Sequence, residues 1–531
     1  MRPIKSRINP NSAAYKSNYE QMQKLVAELE TKLEKGRFQG SEKHTAKALS
    51  QGKLLARDRI ELLLDQDSPF LELLSLAGLG LEGFGPGGTT VTGIGLVSGK
   101  ICLITANVGT NKGGAIDNAT LQKSIRIGEI AIGNRLPVIN LVESAGANLP
   151  EQEKIFNYGG ITFREITRRS KLGLTTISVV FGNSTAGGAY VPGMSDYTVM
   201  VKGAAKVFLA GPPLVKMATN EITDDESLGG AEMHSKVSGV SDYLAQDEAD
   251  GIRLAREIVS FIDSNDAFVP QDEIEEPAYS PEEILGIVSP DPKIPYDIRE
   301  IIARITDGSK FHEFKAEYGN TLVTGFAEIH GYKVGILGNN GVLFSESANK
   351  GTQFIQLCNQ SKIPLLFLQN ITGFMVGKKY EEGGIIKNGA KLINAVSNSE
   401  VPAITIMVGA SYGAGNYAMN GRAYQPRFLF SWPNSRIAVM GPDQLAGVME
   451  IIQRQAAEAG GGTYDEDMGK QMREYMMKEV AQKSSAWFST GNLWDDGVID
   501  PRDTRNVLGI CLAVVNHSPI TGASAYGVFR E

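Results

Sequence analysis

The chain has 531 residues, 42% hydrophobic and 21% charged, and a formal net charge of −8. That length predicts roughly two to four domains with large buried cores, and the acidic balance argues against a general nucleic-acid binder while leaving room for a local basic pocket for a phosphorylated small molecule. Cys102, Cys358 and Cys511 are far apart and form neither a C-x-x-C pair nor a cluster with histidine, so a reducing compartment and no metal are expected.

Met22, Leu25, Leu29 and Leu33 share one helical face in a segment that ends at Gly36, which predicts an amphipathic N-terminal extension over residues 1–40. A second helical pattern closes near Pro69, and "TTVTGIGLVSGKICLITAN" then alternates as a β-meander does. From about Arg135 the pattern becomes apolar strand, glycine-rich turn and long helix, which is α/β in class. Residues 41–270 are therefore expected to form a first domain. Six prolines between Pro270 and Pro295 predict an interdomain linker over 271–298.

Residues 299–531 are expected to form a second domain that repeats the first. "LVTGFAEIHGYKVGILGNNG" answers "TVTGIGLVSGKICLITANVG". Pro364, Gly373, Gly409 and Gly415 each follow Pro137, Gly146, Gly182 and Gly188 by 227 residues. A period this long means a duplicated domain. No run is long enough to cross a bilayer, so a cytoplasmic protein is expected, or a mitochondrial matrix one in a eukaryote.

The chemistry should lie in the repeated glycines. "STAGGAYVPGMSD" (Ser184 to Asp196) and "SYGAGNYAMNGR" (Ser411 to Arg422) each follow an apolar strand and open a helix. The first amides of a helix lack intrahelical acceptors, and glycine lets an oxygen approach them, so such a device holds a phosphate or an oxyanion. For one glycine pair alone a tight turn or close packing is the better explanation; the duplication favours the anion device. Gly409, Ser411 and Gly413 also spell G-x-S-x-G, so a serine hydrolase with Asp443 or Asp500 and His517 is a rival reading. Against it, the first copy lacks the last glycine. There is no G-x-G-x-x-G before a helix and no G-K-[ST], and the five histidines never approach ligand spacing. Lys216 next to Met217 lacks the first methionine of a biotinyl Met-Lys-Met.

With "GKLLARDRIELLLDQDSPFLEL", "FLAGPPLVKMATNE", "LGGAEMHSKVSGVSDYLAQDE" and "GILGNNGVLFSESANKGTQFIQLCNQSKIPLLFLQNITGFMVG" added to the two glycine stretches, the chain resembles the carboxyltransferase (beta) subunits of biotin-dependent acyl-CoA carboxylases over nearly its whole length. "PGMSD", "GPPLVK" and "SYGAGNYAM" are most similar to the methylcrotonoyl-CoA and geranyl-CoA branch. The resemblance implies two crotonase-like (ClpP/crotonase) ββα-superhelix domains, with 41–270 and 299–531 as the N- and C-terminal carboxyltransferase domains.

It further implies catalytic amides at Gly187, Gly188, Ala414 and Gly415, an acyl-CoA site at Ala145, Gly146, Ala147, Ala186, Gly187 and Gly188, and a biotin site at Thr372, Gly373, Phe374, Tyr412, Ala414 and Gly415. The implied cofactor is carboxybiotin, carried by a separate alpha subunit with biotin carboxylase activity. The implied assembly is a hexameric beta core, a dimer of trimers. Alternatives within the resemblance are a propionyl- or acetyl-CoA-type carboxylase, or the carboxyltransferase of a biotin-dependent decarboxylase; outside it stands a silent hexameric scaffold. "ESAGANLPEQEKIFNYGGITFREITRRSKLGL" departs from the methylcrotonoyl-type form, which leaves the acyl group open, and His234 is expected to be structural or CoA-adjacent.

Overall fold

The computed structural model describes residues 2–83, 85–262, 273–460 and 464–531. They divide into two compact units, one of residues 32–262 and one of 2–31 with 273–531. The end of the first domain expected at 270, and the start of the linker expected at 271, lie outside the described residues.

The N-terminal segment carries β1 (Arg2–Pro3) and the helix Ala13–Gly36, which buries Met22, Val26 and Leu29. Within that unit β1 pairs with the strand at Lys310, and Tyr19 Oη donates to Glu282 at 2.5 Å. Residues 273–298 include a short helix, Ile284–Ile287, whose apolar side chains are buried.

The unit of residues 32–262 contains β2 (Phe70–Glu72), β3 (Thr90–Val97), β4 (Lys100–Asn107), β5 (Val138–Ser144), β6 (Thr176–Thr185), β7 (Tyr197–Val201), β8 (Lys206–Phe208) and β9 (Tyr243–Ala245). Its sheet runs β2-β3-β4-β5-β6-β7-β9, with β8 also on β6. Strands β2, β3 and β4 are antiparallel, and from β4 onward every pairing is parallel. Helices cover the parallel strands, which explains why "TISVVF" is apolar at consecutive positions: Ile177, Val179 and Phe181 enter one core and Val180 enters another.

The second unit repeats this with β10 (Lys310–Glu313), β11 (Leu322–Ile329), β12 (Tyr332–Asn339), β13 (Leu365–Ile371), β14 (Ala403–Tyr412), β15 (Phe428–Ser431) and β16 (Arg436–Ala438), in the order β1-β10-β11-β12-β13-β14-β15 with β16 on β14. The duplication reaches single hydrogen bonds. The register break between Val142 and Ser144 recurs between Gln369 and Ile371, at the 227-residue offset. The hairpin turns Ser98-Gly99 and His330-Gly331 both have positive φ, and in each turn both amides donate to one aspartate, Asp65 or Asp307, which an arginine also holds, Arg256 or Arg505. No helix among the described residues is long and apolar enough to cross a membrane.

Candidate active site

In the first unit, β6 ends at Thr185 and the chain turns through Ala186 at φ +53 into a short 3-10 turn, Ala186–Ala189. The amides of Gly187 and Gly188 lie in its first turn, ahead of any intrahelical acceptor. Ser184, fully buried, donates its hydroxyl to the Gly188 carbonyl at 3.0 Å and fixes the turn from below.

Beside it lies the loop after β5. Gly146 has φ +87, its amide donates to Ser144 Oγ at 3.2 Å, and its carbonyl accepts from Ile116 N at 2.8 Å. A Cβ at Gly188 would stand 3.9 Å from Gly146 Cα, so the predicted residues Ala145, Gly146, Ala147, Ala186, Gly187 and Gly188 form one place. Ala145, Ala147, Ala186 and Gly187 are exposed there.

The second unit has a similar turn, which opens an α-helix, Gly413–Ala418, in place of the 3-10 turn. Gly413 takes φ +55 where Ala186 takes φ +53, and Leu343 bridges to Phe374 as Ile116 bridges to Ala147. Thr372, Gly373, Phe374, Tyr412, Ala414 and Gly415 come together on that turn. A Cβ at Gly415 would stand 3.3 Å from Gly373 Cα, Tyr412 is buried, and Thr372 and Ala414 are exposed.

The two copies use glycine for different reasons. A Cβ at Gly415 would meet Ile371 Cγ1 at 2.6 Å, so glycine there is a packing requirement. At Gly187 the nearest atom would be Phe163 Cζ at 3.6 Å, and at Gly188 it would be Ser184 Oγ at 3.7 Å, both ordinary contacts, and neither residue has positive φ. Neither turn geometry nor packing within the unit demands the glycine pair. Gly187 is exposed at the start of the turn and Gly188 is buried.

The carboxyl transferase domain family matches residues 47–526. This chain belongs to that family. Over 531 residues the carboxyl transferase is 55% identical to a probable biotin-dependent acyl-coenzyme A carboxylase beta2 subunit of Mycobacterium tuberculosis, covering 99% of this chain and 100% of that one. It is 48% identical to the mitochondrial methylcrotonoyl-CoA carboxylase beta chain of Dictyostelium discoideum, covering 98% and 90%. Among solved structures, the geranyl-CoA carboxylase beta subunit of P. aeruginosa superposes with a TM-score of 0.89 at 46% identity, covering 99% of each chain. The pair of crotonase-like domains that the resemblance implies is the architecture of this family.

The hydrolase reading of Ser411 does not hold in the carboxyl transferase. Ser411 is fully buried; its hydroxyl donates to Gln369 Oε1 at 2.6 Å and accepts from Asn416 Nδ2 at 2.7 Å, so amides occupy the place an imidazole base would need. His234 is also committed to structure. Its Nε2 bonds the Val207 carbonyl at 2.7 Å, which makes that nitrogen the donor, and Nδ1 meets Ser238 Oγ at 2.6 Å. Cys102, Cys358 and Cys511 are buried, and burial pushes every thiol up, Cys358 to about 12.

Five residues under or against the first loop escaped the sequence reading. Glu143, next to Ser144, accepts from Lys53 at 2.6 Å and from Arg59 at 2.8 Å, and Arg59 forms a bidentate pair with Glu248 at 2.8 Å while lying 4.4 Å over the Phe181 ring. Burial alone would raise the Glu143 carboxyl, but the Arg59 charge and the hydrogen bonds from Lys53 and Arg59 outweigh it and hold the carboxyl below its ordinary value. Phe163, on the helix Gln152–Lys171, stands against Gly187 and meets the Tyr190 ring edge-on at 5.9 Å. The one available signal for Glu143 was an acidic residue at the end of an apolar strand, "VINLVES".

Proposed function

We propose that this carboxyl transferase is the beta subunit of a biotin-dependent acyl-CoA carboxylase, acting on a short branched enoyl-CoA of the methylcrotonoyl type. The observation that carries the reading is the glycine pair at 187 and 188, which neither backbone conformation nor packing within the unit requires. The amides of Gly187 and Gly188 hold the thioester oxygen, with Ala145, Gly146, Ala147 and Ala186 lining the acyl-CoA site. Those of Ala414 and Gly415 hold the biotin ureido oxygen, with Thr372, Gly373, Phe374 and Tyr412 around it; a Cβ at Gly373 would meet nothing within 4 Å, which leaves room for a ring at that face.

Deprotonating an enoyl thioester at its vinylogous carbon moves negative charge onto the thioester oxygen. Preorganised amides stabilise that charge in place, and one such donor is worth about 2.7 to 4 kcal/mol in other enzymes. Carboxybiotin, when bound, supplies the CO2 and the base. That division of labour matches a first turn, Ala186–Ala189, with no titratable side chain: Ser184 and Ser411 are locked in hydrogen bonds, and His234 is committed at both nitrogens. Phe163 beside Gly187 narrows the acyl side and favours a short chain over a geranyl one. The biotin arrives on an alpha subunit, the beta chains assemble as a hexamer, and the enzyme works in the cytoplasm or, in a eukaryote, in the matrix.

The test is a panel of CoA thioesters, from propionyl to geranyl, assayed with labelled bicarbonate, ATP and the purified alpha partner. Incorporation into methylcrotonoyl-CoA is the expected result. Incorporation into none of them overturns the reading.

A further inference from the structure

The two units differ in one backbone feature beside their loops. Between the end of β4 at Asn107 and the ladder residue Ile116 lie residues 108–115; between the end of β12 at Asn339 and the matching Leu343 lie only 340–342. The longer connection contains a left-handed run, with Lys112 at φ +52, Gly113 at φ +65 and Gly114 at φ +67. Lysine is not a residue that favours that conformation, and such outliers gather at ligand sites.

The run is mounted on the first loop. Gly113 O accepts from Ala145 N at 2.9 Å, Gly114 O accepts from Ser144 Oγ at 2.7 Å, and a Cβ at Gly114 would meet Glu143 O at 2.1 Å, so the mount is close-fitting. Lys112 is exposed, and its ammonium has no ion-pair partner among the described residues. The shorter copy reads Asn340, Gly341 and Val342 and contains no basic residue.

We infer that Lys112 binds a phosphate of the acyl-CoA whose thioester lies on the adjacent loop. This rests on the proposed function: the ligand assigned to the first loop carries a diphosphate and a 3′-phosphate, whereas the ureido ring assigned to the second carries no charge. The connection that bears on the first loop carries a cation, and the matching connection beside the second carries none. In a chain of net charge −8, a fixed ammonium beside the thioester loop also offsets general repulsion of an anionic substrate.

Lys112→Gly separates binding from folding, because glycine accepts φ +52 without strain and the melting temperature should not fall. In the holoenzyme this variant should raise KM for the acyl-CoA about tenfold with kcat little changed, leave KM for the acyl-pantetheine thioester as in the wild type, and be rescued by Lys112→Arg. The 3′-dephospho-CoA thioester identifies the phosphate: if the wild type already shows the raised KM with it, the contact is to the 3′-phosphate; otherwise it is to the diphosphate. An unchanged KM for acyl-CoA, or an equal rise with acyl-pantetheine, overturns the assignment. Calorimetric titration with CoA separates the two readings: wild type inactive on every thioester refutes the proposed function, while equal Kd for CoA in wild type and Lys112→Gly refutes the role of Lys112.

Discussion

The two glycine turns occupy matching places at the ends of β6 and β14 and differ in what surrounds them. At Gly415 a side chain would strike Ile371, and beneath that turn Asn370, a neutral amide, takes the place that Glu143 holds in the first unit; a Cβ at Gly409 would meet Asn370, and one at Gly182 would meet Glu143. At Gly187 and Gly188 a side chain would fit, and the ground beneath is ionic: Lys53, Glu143, Arg59 and Glu248. Glycine is thus a packing requirement in one copy, while in the other neither packing nor backbone conformation demands it. The first turn is held by charge from below and kept bare above, whereas the second is held by apolar packing and amides.

The largest way to test that contrast is to remove the ionic support. Arg59→Leu leaves Glu143 and Glu248 without their shared cation and should cost about 3–5 kcal/mol, read from the urea transition of the first unit. Gly415→Ala should cost about 1–3 kcal/mol by overpacking against Ile371, while Gly187→Ala should stay within about 0.5 kcal/mol of wild type; equal losses in the two variants would erase the distinction. Glu143 adds a pH signature. Its folded carboxyl sits below its ordinary value, so its contribution is present above about pH 4.3 and is lost as pH falls through the folded value. Glu143→Gln should therefore flatten the acid limb of the stability profile, and Asn370→Ala should leave that limb unchanged. Phe163→Ala should give the smallest stability change and shift kcat/KM toward longer acyl chains by about tenfold, measured on the same thioester panel.

Much of this was legible from the residues. Paired prolines and glycines at one offset disclosed the duplication because they punctuate turns, whose positions in the chain are rigid. The repeated Asp65 and Asp307 devices were not legible: their arginines, Arg256 and Arg505, come from helices remote in sequence, and the connections between β4 and Ile116 and between β12 and Leu343 differ in length, so no single period links them. The glycine pair itself was readable as a turn or as an anion site, and only the space around each missing Cβ separates those meanings. Ser411 shows the reverse case, a motif that spelled a nucleophile and proved a buried hydrogen-bond donor to Gln369.

The central claim is that the first turn serves through its amides. Gly188→Pro deletes one donor, at a position in the first turn of a helix where proline's fixed φ is tolerated. Carboxylation of methylcrotonoyl-CoA by the reconstituted enzyme should fall about 10²–10³-fold while the melting temperature and oligomer size hold. Turnover at the wild-type rate in a folded Gly188→Pro enzyme would contradict the account.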